Sequence, residues 1–550
     1  MRRSVRFASW CVACVLASVA CTPKADLAVF GRIWTGDSAT PWAGAVAIRG
    51  DTIIAVGDSA EIARLVGGRT ERLDNGSDLV VPGFIDDHVH LFSGGFQLTS
   101  VDLKDADSPE ELIRRVREHA SGLAPGEWMT GGDWDHERWP GTMLPDRSWI
   151  DSVTPRNPVF LSRYDGHMGL ANSLALAAAR LDRSARDRPG GEILRRRDGE
   201  LTGVLKDEAM EPVFAAMPEP SPARLDSALA RAMGHAASLG VTGLVSVTTS
   251  WAEVAALHRA EAAGTLTFRV SNYVPLAQWR SAADSLRTRG PGNDWIRTAG
   301  VKGVVDGSLG STTALFDDPY LDAPRSRGLF TTPEDSLRRW IGAADSAGLH
   351  VVVHAIGDRA NGVLLDIFDS VATAHGPRDR RFRIEHAQHL RAADIPRFAA
   401  LGVIPSMQPY HAVDDGRWAA KRIGGRIRTT YAFRSLLDAG ARLVFGSDWT
   451  VAPLDPIQGI KAAVTRQTLD GRHPEGWVPE ERISVEEALR AYTVSNAYAI
   501  FADASRGRLR PGYLADLALL DRDLFRIAPP ALDQARVRAT VVGGRVVFRR

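Results

Sequence analysis

Two histidines, His88 and His90, have the spacing of metal ligands. They end the segment 79–90, LVVPGFIDDHVH, in which an apolar run precedes His-x-His. Such a run predicts a buried strand, and side chains two residues apart on a strand share one face. Both imidazoles therefore point the same way from the carboxyl end of the strand, which suits one divalent metal ion. Two polar residues that merely end a strand would look the same, so the rest of the chain has to decide.

Other residues of metal-binding type also lie at or near the ends of apolar segments. They are Lys302 within 300–306, His354 at the end of 350–354, His386 at the end of 382–386 and Asp448 at the end of 443–448. The cysteines, Cys11, Cys14 and Cys21, all lie in the first 21 residues, so thiolate ligands are excluded from the folded part. Four histidines, a lysine and an aspartate predict a site for one or two divalent metal ions.

The segments that carry these residues belong to a repeating pattern. Eight apolar strands, ending near His90, Thr248, Val274, Asp306, Ala355, Ala387, Gln408 and Asp448, alternate with helical segments. This alternation predicts a (β/α)8 TIM-type barrel over residues 81–504. In such a barrel, the active site lies at the carboxyl ends of the strands. The candidate ligands would therefore meet at one end of the barrel.

Two further parts are predicted around the barrel. Residues 25–80 and 505–550 are rich in short strands, which predicts a small β-sandwich domain built from both chain ends. About 150 residues separate the first barrel strand from the second, and so long a connection must have structure of its own. We expect residues 91–220 to form an insertion over the barrel mouth, as a lid or substrate wall. The alternative is a surface insertion without a functional role.

The first twenty residues have the layout of an export signal. Arg2, Arg3 and Arg6 precede the apolar stretch 7–20, which is too short to span a bilayer comfortably. Ser18-Val19-Ala20 before Cys21 allows cleavage by ordinary signal peptidase, or a bacterial lipoprotein signal with Cys21 lipidated. We predict an exported protein, periplasmic or membrane-anchored. The near-neutral balance of 67 basic and 66 acidic residues gives no indication of nucleic-acid binding.

Taken together, the motifs resemble the amidohydrolase superfamily, and within it the third amidohydrolase branch, which includes N-substituted formamide deformylase. The resemblance covers nearly the whole mature chain. Trp449-Thr450 replaces the Trp-Pro that is common after the aspartate. The motifs are PGFIDDHVH (82–90), GH (166–167), ANSLAL (171–176), VKGVVDGSLGS (301–311), HAIGDRA (354–360) and SDW (447–449).

The resemblance implies roles for the candidate ligands. His88 and His90 would bind one metal ion, and His354 and His386 a second. Lys302 would be carboxylated on its amine and bridge both ions, whereas a salt-bridged structural lysine would leave a site for one metal. Asp448 would touch the first metal and move protons. Nitrogen and oxygen ligands accept Zn, Mn, Fe or Co, and zinc is the first expectation.

These roles predict hydrolysis of a carbon–nitrogen bond other than a peptide bond, in a small-molecule amide, formamide or cyclic amide. Metal-bound hydroxide would attack the carbonyl, and Asp448 would pass a proton to the leaving nitrogen. His167 in the insertion and His411 after strand seven are candidate substrate-binding residues. Other histidines are predicted to be solvated: His119, His136, His235, His258, His375 and His473.

Two alternative functions remain open. The first is a deaminase on the same scaffold, although Gly357-Asp358-Arg359-Ala360 lacks the His-x-x-Glu that such enzymes carry after strand five. The second is a non-catalytic, surface-anchored binding protein, which is expected to have lost a ligand, whereas all are present here.

Overall fold

The fold is described by a computed structural model covering residues 24–550. The signal predicted over residues 1–20, and Cys21, therefore lie outside the described residues. Within residues 24–550, none of the helices combines the length and the hydropathy that crossing a bilayer requires.

The secondary structure alternates between strands and helices through the middle of the chain. The strands, in chain order, are β1 (Leu27–Trp34), β2 (Trp42–Arg49), β3 (Thr52–Gly57), β4 (Glu71–Pro82), β5 (Phe84–Val89), β6 (Val101–Asp102), β7 (Gly131–Trp134), β8 (Phe160–Arg163), β9 (Met168–Ala171), β10 (Gly191–Arg195), β11 (Leu201–Asp207), β12 (Val241–Val247), β13 (Arg269–Pro275), β14 (Ile296–Val304), β15 (His350–Ala355), β16 (Arg383–His386), β17 (Ile404–Met407), β18 (Val444–Phe445), β19 (Leu517–Leu520), β20 (Val537–Val542) and β21 (Arg545–Arg549). The α-helices are α1 (Ser59–Ala63), α2 (Leu91–Gln97), α3 (Pro109–Ser121), α4 (Ser148–Asp151), α5 (Ser173–Ala178), α6 (Glu211–Ala216), α7 (Pro222–Ser238), α8 (Trp251–Ala262), α9 (Trp279–Arg289), α10 (Glu334–Ser346), α11 (Asp358–His375), α12 (Ile395–Leu401), α13 (Pro409–Asp415), α14 (Ala419–Ile423), α15 (Phe433–Asp438), α16 (Pro456–Thr465), α17 (Val485–Ala491) and α18 (Val494–Ala499).

A parallel barrel forms the centre of the molecule. Its strands lie in the order β18-β17-β16-β15-β14-β13-β12-β5. The last strand meets the first through a parallel bridge between Val89 and Trp449. The N–H of Asp448 donates to the carbonyl of His88 at 2.7 Å, and the N–H of His90 donates to the carbonyl of Trp449 at 2.6 Å. The predicted (β/α)8 barrel is therefore confirmed.

Strands from both chain ends form a second sheet, in the order β21-β20-β19-β4-β1-β2-β3. Along β1, Val29 and Ala28 alternate between two hydrophobic clusters, so both faces of this strand are buried. A buried ion pair ties the sheet to the barrel, with Arg269 Nε of β13 at 2.8 Å from Asp516 Oδ2. The small β-sandwich domain predicted from both chain ends is, in the structure, one continuous hydrogen-bonded sheet of seven strands.

The connection from the first to the second barrel strand contains a third sheet, in the order β10-β11-β9-β8-β7-β6. It has its own core, in which the rings of Trp134 and Trp139 stack with centroids 6.0 Å apart. The sheet is tied to loops at the carboxyl ends of the barrel strands, because Asp165 Oδ2 accepts from Ser311 Oγ at 3.1 Å. This position places the third sheet at the barrel mouth, next to the candidate ligands.

Candidate metal centre

Three predicted ligands converge where the barrel closes. Asp448 Oδ1 lies 3.5 Å from His88 Nε2 and 3.3 Å from His90 Nε2. One ligand atom from each of the three residues lies within 4.8 Å of the others. Asp448 Oδ1 is buried and has no hydrogen-bond partner of ordinary geometry among the residues that the structure describes. An unpaired buried carboxylate oxygen between two imidazoles is the arrangement expected of a cation site.

A strained backbone aims the Asp448 side chain. Its φ is +59°, in the left-handed region that non-glycine residues rarely adopt. Backbone bonds hold this conformation, since the N–H of Asp448 bonds to His88 and the N–H of Ser447 donates to Asp86 Oδ1 at 2.9 Å. The prediction extended the eighth strand to Asp448, but β18 ends at Phe445. The chain leaves the ladder there and turns across the end of β5.

A buried carboxylate fixes the orientation of His88. His88 Nδ1 donates to Glu385 Oε2, which also accepts from Ser406 Oγ at 2.9 Å. Arg383 Nε donates to Glu385 Oε1 at 2.7 Å. Burial raises the pKa of Glu385, but the charges of Arg383 and Lys302 and the contact with His88 together more than offset this and hold the pKa well below its ordinary value. The ionised carboxylate only accepts, so the proton is on Nδ1 and Nε2 presents a lone pair.

His88 is also kept neutral, because burial, with a contribution from the Lys302 charge, lowers its pKa to about 4. His90 has a comparable arrangement. Thr248 Oγ1, which donates to the Val247 carbonyl at 2.7 Å, lies 3.3 Å from His90 Nδ1 and can accept from it. Both imidazoles can thus direct an unprotonated Nε2 towards Asp448, as a metal requires.

Lys302 is buried on β14 beside this group. Its Nζ lies 3.4 Å from His88 Nε2. Burial lowers the pKa of Lys302 to about 8, although the negative charges of Glu385 and Asp448 oppose this shift. Within residues 24–550, no carboxylate lies at salt-bridge distance from Nζ. The arrangement differs from that of a salt-bridged structural lysine.

The remaining histidines form a second group around His386. The ring centroid of His386 lies 4.5 Å from that of His354, and His386 Nδ1 donates to Gln408 Oε1 at 2.8 Å. Ligand atoms of His386, His411 and Asp448 lie within 4.8 Å of one another. His354 is close by, but its Nε2 faces the carbonyl of Gly307 at 3.2 Å, which leaves Nδ1 as the unprotonated nitrogen. The structure thus places His411, predicted as a substrate-binding residue, among the potential ligands.

His167 reaches the site from the third sheet. Its Nδ1 donates to Asp207 Oδ1 at 2.6 Å, and its ring centroid lies 5.0 Å from that of His354. Burial alone would lower the pKa of His167, but the hydrogen bond and charge of Asp207 raise it above its ordinary value. His167 and His411 both line a pocket at the barrel mouth. Their binding of substrate stays a prediction.

Some residues of the site were not identified from the sequence. Glu385, Asp207 and Gln408 are the hydrogen-bond acceptors of three site histidines, His88, His167 and His386 respectively. In the sequence, only Glu385 carried a signal of such a role, because it is next to His386. The prediction that His136 is solvated is wrong. It is buried, and Arg163 Nε donates to its Nδ1 at 3.2 Å, because the third sheet covers it.

The comparisons with known proteins agree with this geometry. The sequence pattern of the amidohydrolase family matches residues 75–548. Protein LONG AFTER FAR-RED 3 of Arabidopsis thaliana is 40% identical over 538 residues, covering 95% of this chain and 92% of that protein. N-substituted formamide deformylase of Arthrobacter pascens is 28% identical over 548 residues, covering 96% and 99%. The crystal structure of an uncharacterized metal-dependent hydrolase from Pyrococcus horikoshii OT3 superposes with a TM-score of 0.73 and 30% identity, covering 92% of this chain and 99% of that one.

Proposed function

This chain belongs to the amidohydrolase family, and on that premise we propose that it hydrolyses a non-peptide carbon–nitrogen bond in a small-molecule amide, formamide or cyclic amide. One observation carries the proposal: the imidazoles of His88 and His90 converge on the unpaired Oδ1 of Asp448 at the barrel mouth. The formamide deformylase of Arthrobacter pascens, aligned over nearly the whole chain, supports the bond type.

The residues present fit a divalent metal ion. Two imidazoles and an ionised carboxylate are donors that zinc accepts, and we propose zinc as the metal. When bound, the metal supplies a water molecule activated near neutral pH and polarises the carbonyl oxygen of the substrate. His88 and His90 would hold it through Nε2, while Glu385 keeps His88 in the required tautomer.

Asp448 is the proposed proton carrier. Burial raises its pKa, but the neighbouring imidazoles of His88, His90 and His386 together more than offset this and hold the pKa well below the ordinary value, so the group is ionised at neutral pH. An ionised, unpaired Oδ1 can accept the proton of the attacking water and deliver it to the leaving nitrogen. This transfer lets the amine depart as a neutral molecule.

We propose that Lys302 is carboxylated. A lysine whose pKa is lowered to about 8 holds a reactive neutral fraction at neutral pH, and the carbamate formed with carbon dioxide offers oxygen ligands that an ammonium cannot. Native mass spectrometry should detect one added carbon dioxide in the purified protein. The Lys302→Ala variant should lose bound metal and activity, and short carboxylic acids should restore part of both. Full metal content and activity in Lys302→Ala would contradict the proposal. The matched control is Lys206→Ala, a lysine outside the site.

The reaction class is tested with elemental analysis and a substrate panel. The purified protein should contain a divalent metal and release amines from N-formyl and N-acyl amines. The Asp448→Asn variant should lower kcat by about 10²- to 10⁴-fold, because it removes the proton acceptor while keeping the size of the side chain. Ammonia release from amidine-containing rings without amide hydrolysis would support the deaminase alternative. Metal binding without turnover of any panel member would support the binding protein.

A further inference from the structure

The side chains that line the pocket determine its charge. Apart from the histidines and Asp448, the wall carries aromatic side chains, aliphatic side chains, the neutral polar side chains of Ser308 and Gln388, and two further carboxylates, Asp165 and Asp415. Among the residues that the structure describes, no lysine or arginine lines it. His167, whose pKa is raised, is already bonded to Asp207, so a carboxylate on a ligand would find no unpaired cationic side chain among the described residues of this wall.

The carboxylate of Asp165 adds a negative charge to the wall. Burial raises its pKa, but Arg163, whose Nη1 lies 2.6 Å from Asp165 Oδ2, acts together with His167 and the hydrogen bond from Ser308 to lower the pKa below the ordinary value overall. The Arg163 guanidinium is completely buried and is also 3.4 Å from Asp135 Oδ1, so two carboxylates already neutralise it. Arg163 is consequently not available to a ligand, and a ligand carboxylate would meet the oxygens of Asp165.

The wall also carries polar atoms that lack partners. The indole N–H of Trp418 and the Nε2 of His411 are buried and have no hydrogen-bond partner within residues 24–550. An unpaired buried polar atom costs free energy, which a ligand group with a suitable acceptor or donor recovers. The rest of the wall offers the rings of Tyr164 and Trp418 and the aliphatic Leu309 to an apolar substituent.

We propose that the pocket selects neutral amides of apolar or aromatic amines and discriminates against N-acyl amino acids. This proposal rests on the proposed function, because it takes the pocket wall to contact the part of the substrate that lies beyond the bond to be hydrolysed.

A matched substrate pair tests the selectivity. N-formyl-2-phenylethylamine and N-formylphenylalanine differ only by a carboxylate next to the nitrogen. The metal-loaded enzyme should hydrolyse the neutral compound with a kcat/KM at least about tenfold higher, because the carboxylate meets Asp165 without a cation. Equal or faster hydrolysis of N-formylphenylalanine would overturn the proposal.

A binding measurement separates this proposal from the proposed function. N-(2-phenylethyl)methanesulfonamide and N-methanesulfonylphenylalanine also differ only by this carboxylate, but they lack a hydrolysable amide. Calorimetry on the metal-loaded protein should show tighter binding of the neutral compound, whether or not any formamide is turned over. Equal or tighter binding of the carboxylate would contradict the selectivity, whereas absent turnover with preferred neutral binding would refute the bond type alone.

The addition of a positive charge to the wall provides a variant test. Val451→Arg places a guanidinium at the pocket and should shift the kcat/KM ratio towards N-formylphenylalanine. The matched control is Leu321→Arg at an exposed position outside the pocket, which should leave the ratio unchanged. An unchanged ratio in a folded, metal-loaded Val451→Arg protein would count against the proposal. If Val451→Arg does not fold, the two measurements on the wild-type enzyme, of the substrate pair and of the sulfonamide pair, still test the proposal.

Discussion

At the scale of single residues, the site depends on groups that fix the protonation of its histidines. Glu385, Gln408 and Asp207 each accept from the Nδ1–H of one imidazole. Each acceptor directs the other ring nitrogen into the site. Because metal ligation needs an unprotonated nitrogen at a defined place, these acceptors matter as much as the proposed ligands themselves.

The Glu385→Gln variant tests this dependence for His88. Its amide can donate as well as accept, and it no longer balances Arg383, so His88 should lose its fixed tautomer. We expect metal affinity to fall by about 10- to 100-fold, measured by competition with a chelator. Glu192→Gln, which alters a half-exposed carboxylate paired with Lys206, is the control. Unchanged affinity in a folded Glu385→Gln protein would show that Glu385 does not set the state of His88.

The Asp415 carboxyl predicts a pH dependence of stability. Burial raises its pKa from 3.8 to about 7, although the hydrogen bond from Tyr431 Oη at 2.6 Å opposes this. The folded state therefore keeps the proton longer than the unfolded state does, and the contribution of this group to stability falls as pH rises from about 4 to above 7. Asp415→Asn does not titrate, so its Tm should exceed that of the wild type by a few degrees more at pH 8 than at pH 5. Calorimetric scans at both pH values check this, and Asp369→Asn on the exposed face of α11 should show no such difference.

At the scale of elements, the third sheet completes the site of the barrel. It supplies Asp165, His167 and Asp207, and its ion pairs reach helices that follow the seventh barrel strand. Glu137 Oε1 lies 2.7 Å from Arg422 Nη2, and Asp135 Oδ2 lies 3.0 Å from Arg417 Nη2. The sheet is held to the barrel through buried charges as well as through the chain connections.

Glu137→Ala removes one of these attachments. Because Arg422 then loses its closest carboxylate, the third sheet should sit less firmly on the barrel mouth. We expect KM to rise about tenfold with the metal content unchanged, together with faster proteolysis within the third sheet. Glu200→Ala is the control. The partners of Glu200, Arg147 and Arg183, lie within the insertion itself, so this variant should leave the kinetics unaffected. Equal kinetics in the two variants would mean that the sheet's attachment does not shape the pocket.

At the scale of the whole molecule, the barrel carries a sheet made from both chain ends, and the predicted export signal precedes that sheet. The lipid anchor at Cys21 stays a prediction. If Cys21 is lipidated, Cys21→Ser should move the protein from the membrane fraction to the soluble fraction of a bacterial host, whereas Cys14→Ser should not. Identical fractionation of the two variants would contradict lipidation.

The sequence alone was sufficient for whatever depends on local spacing. His88 and His90 share a face because a strand repeats every two residues, and the alternation of apolar and helical segments predicts the barrel and its active end. Only the tertiary structure decided which distant groups meet. Glu385 is 297 positions from the His88 that it orients, His167 reaches His354 from a separate sheet, and His411 joins His386 and Asp448. These contacts arise from barrel closure and from the packing of the third sheet, which bring together groups that no local pattern connects.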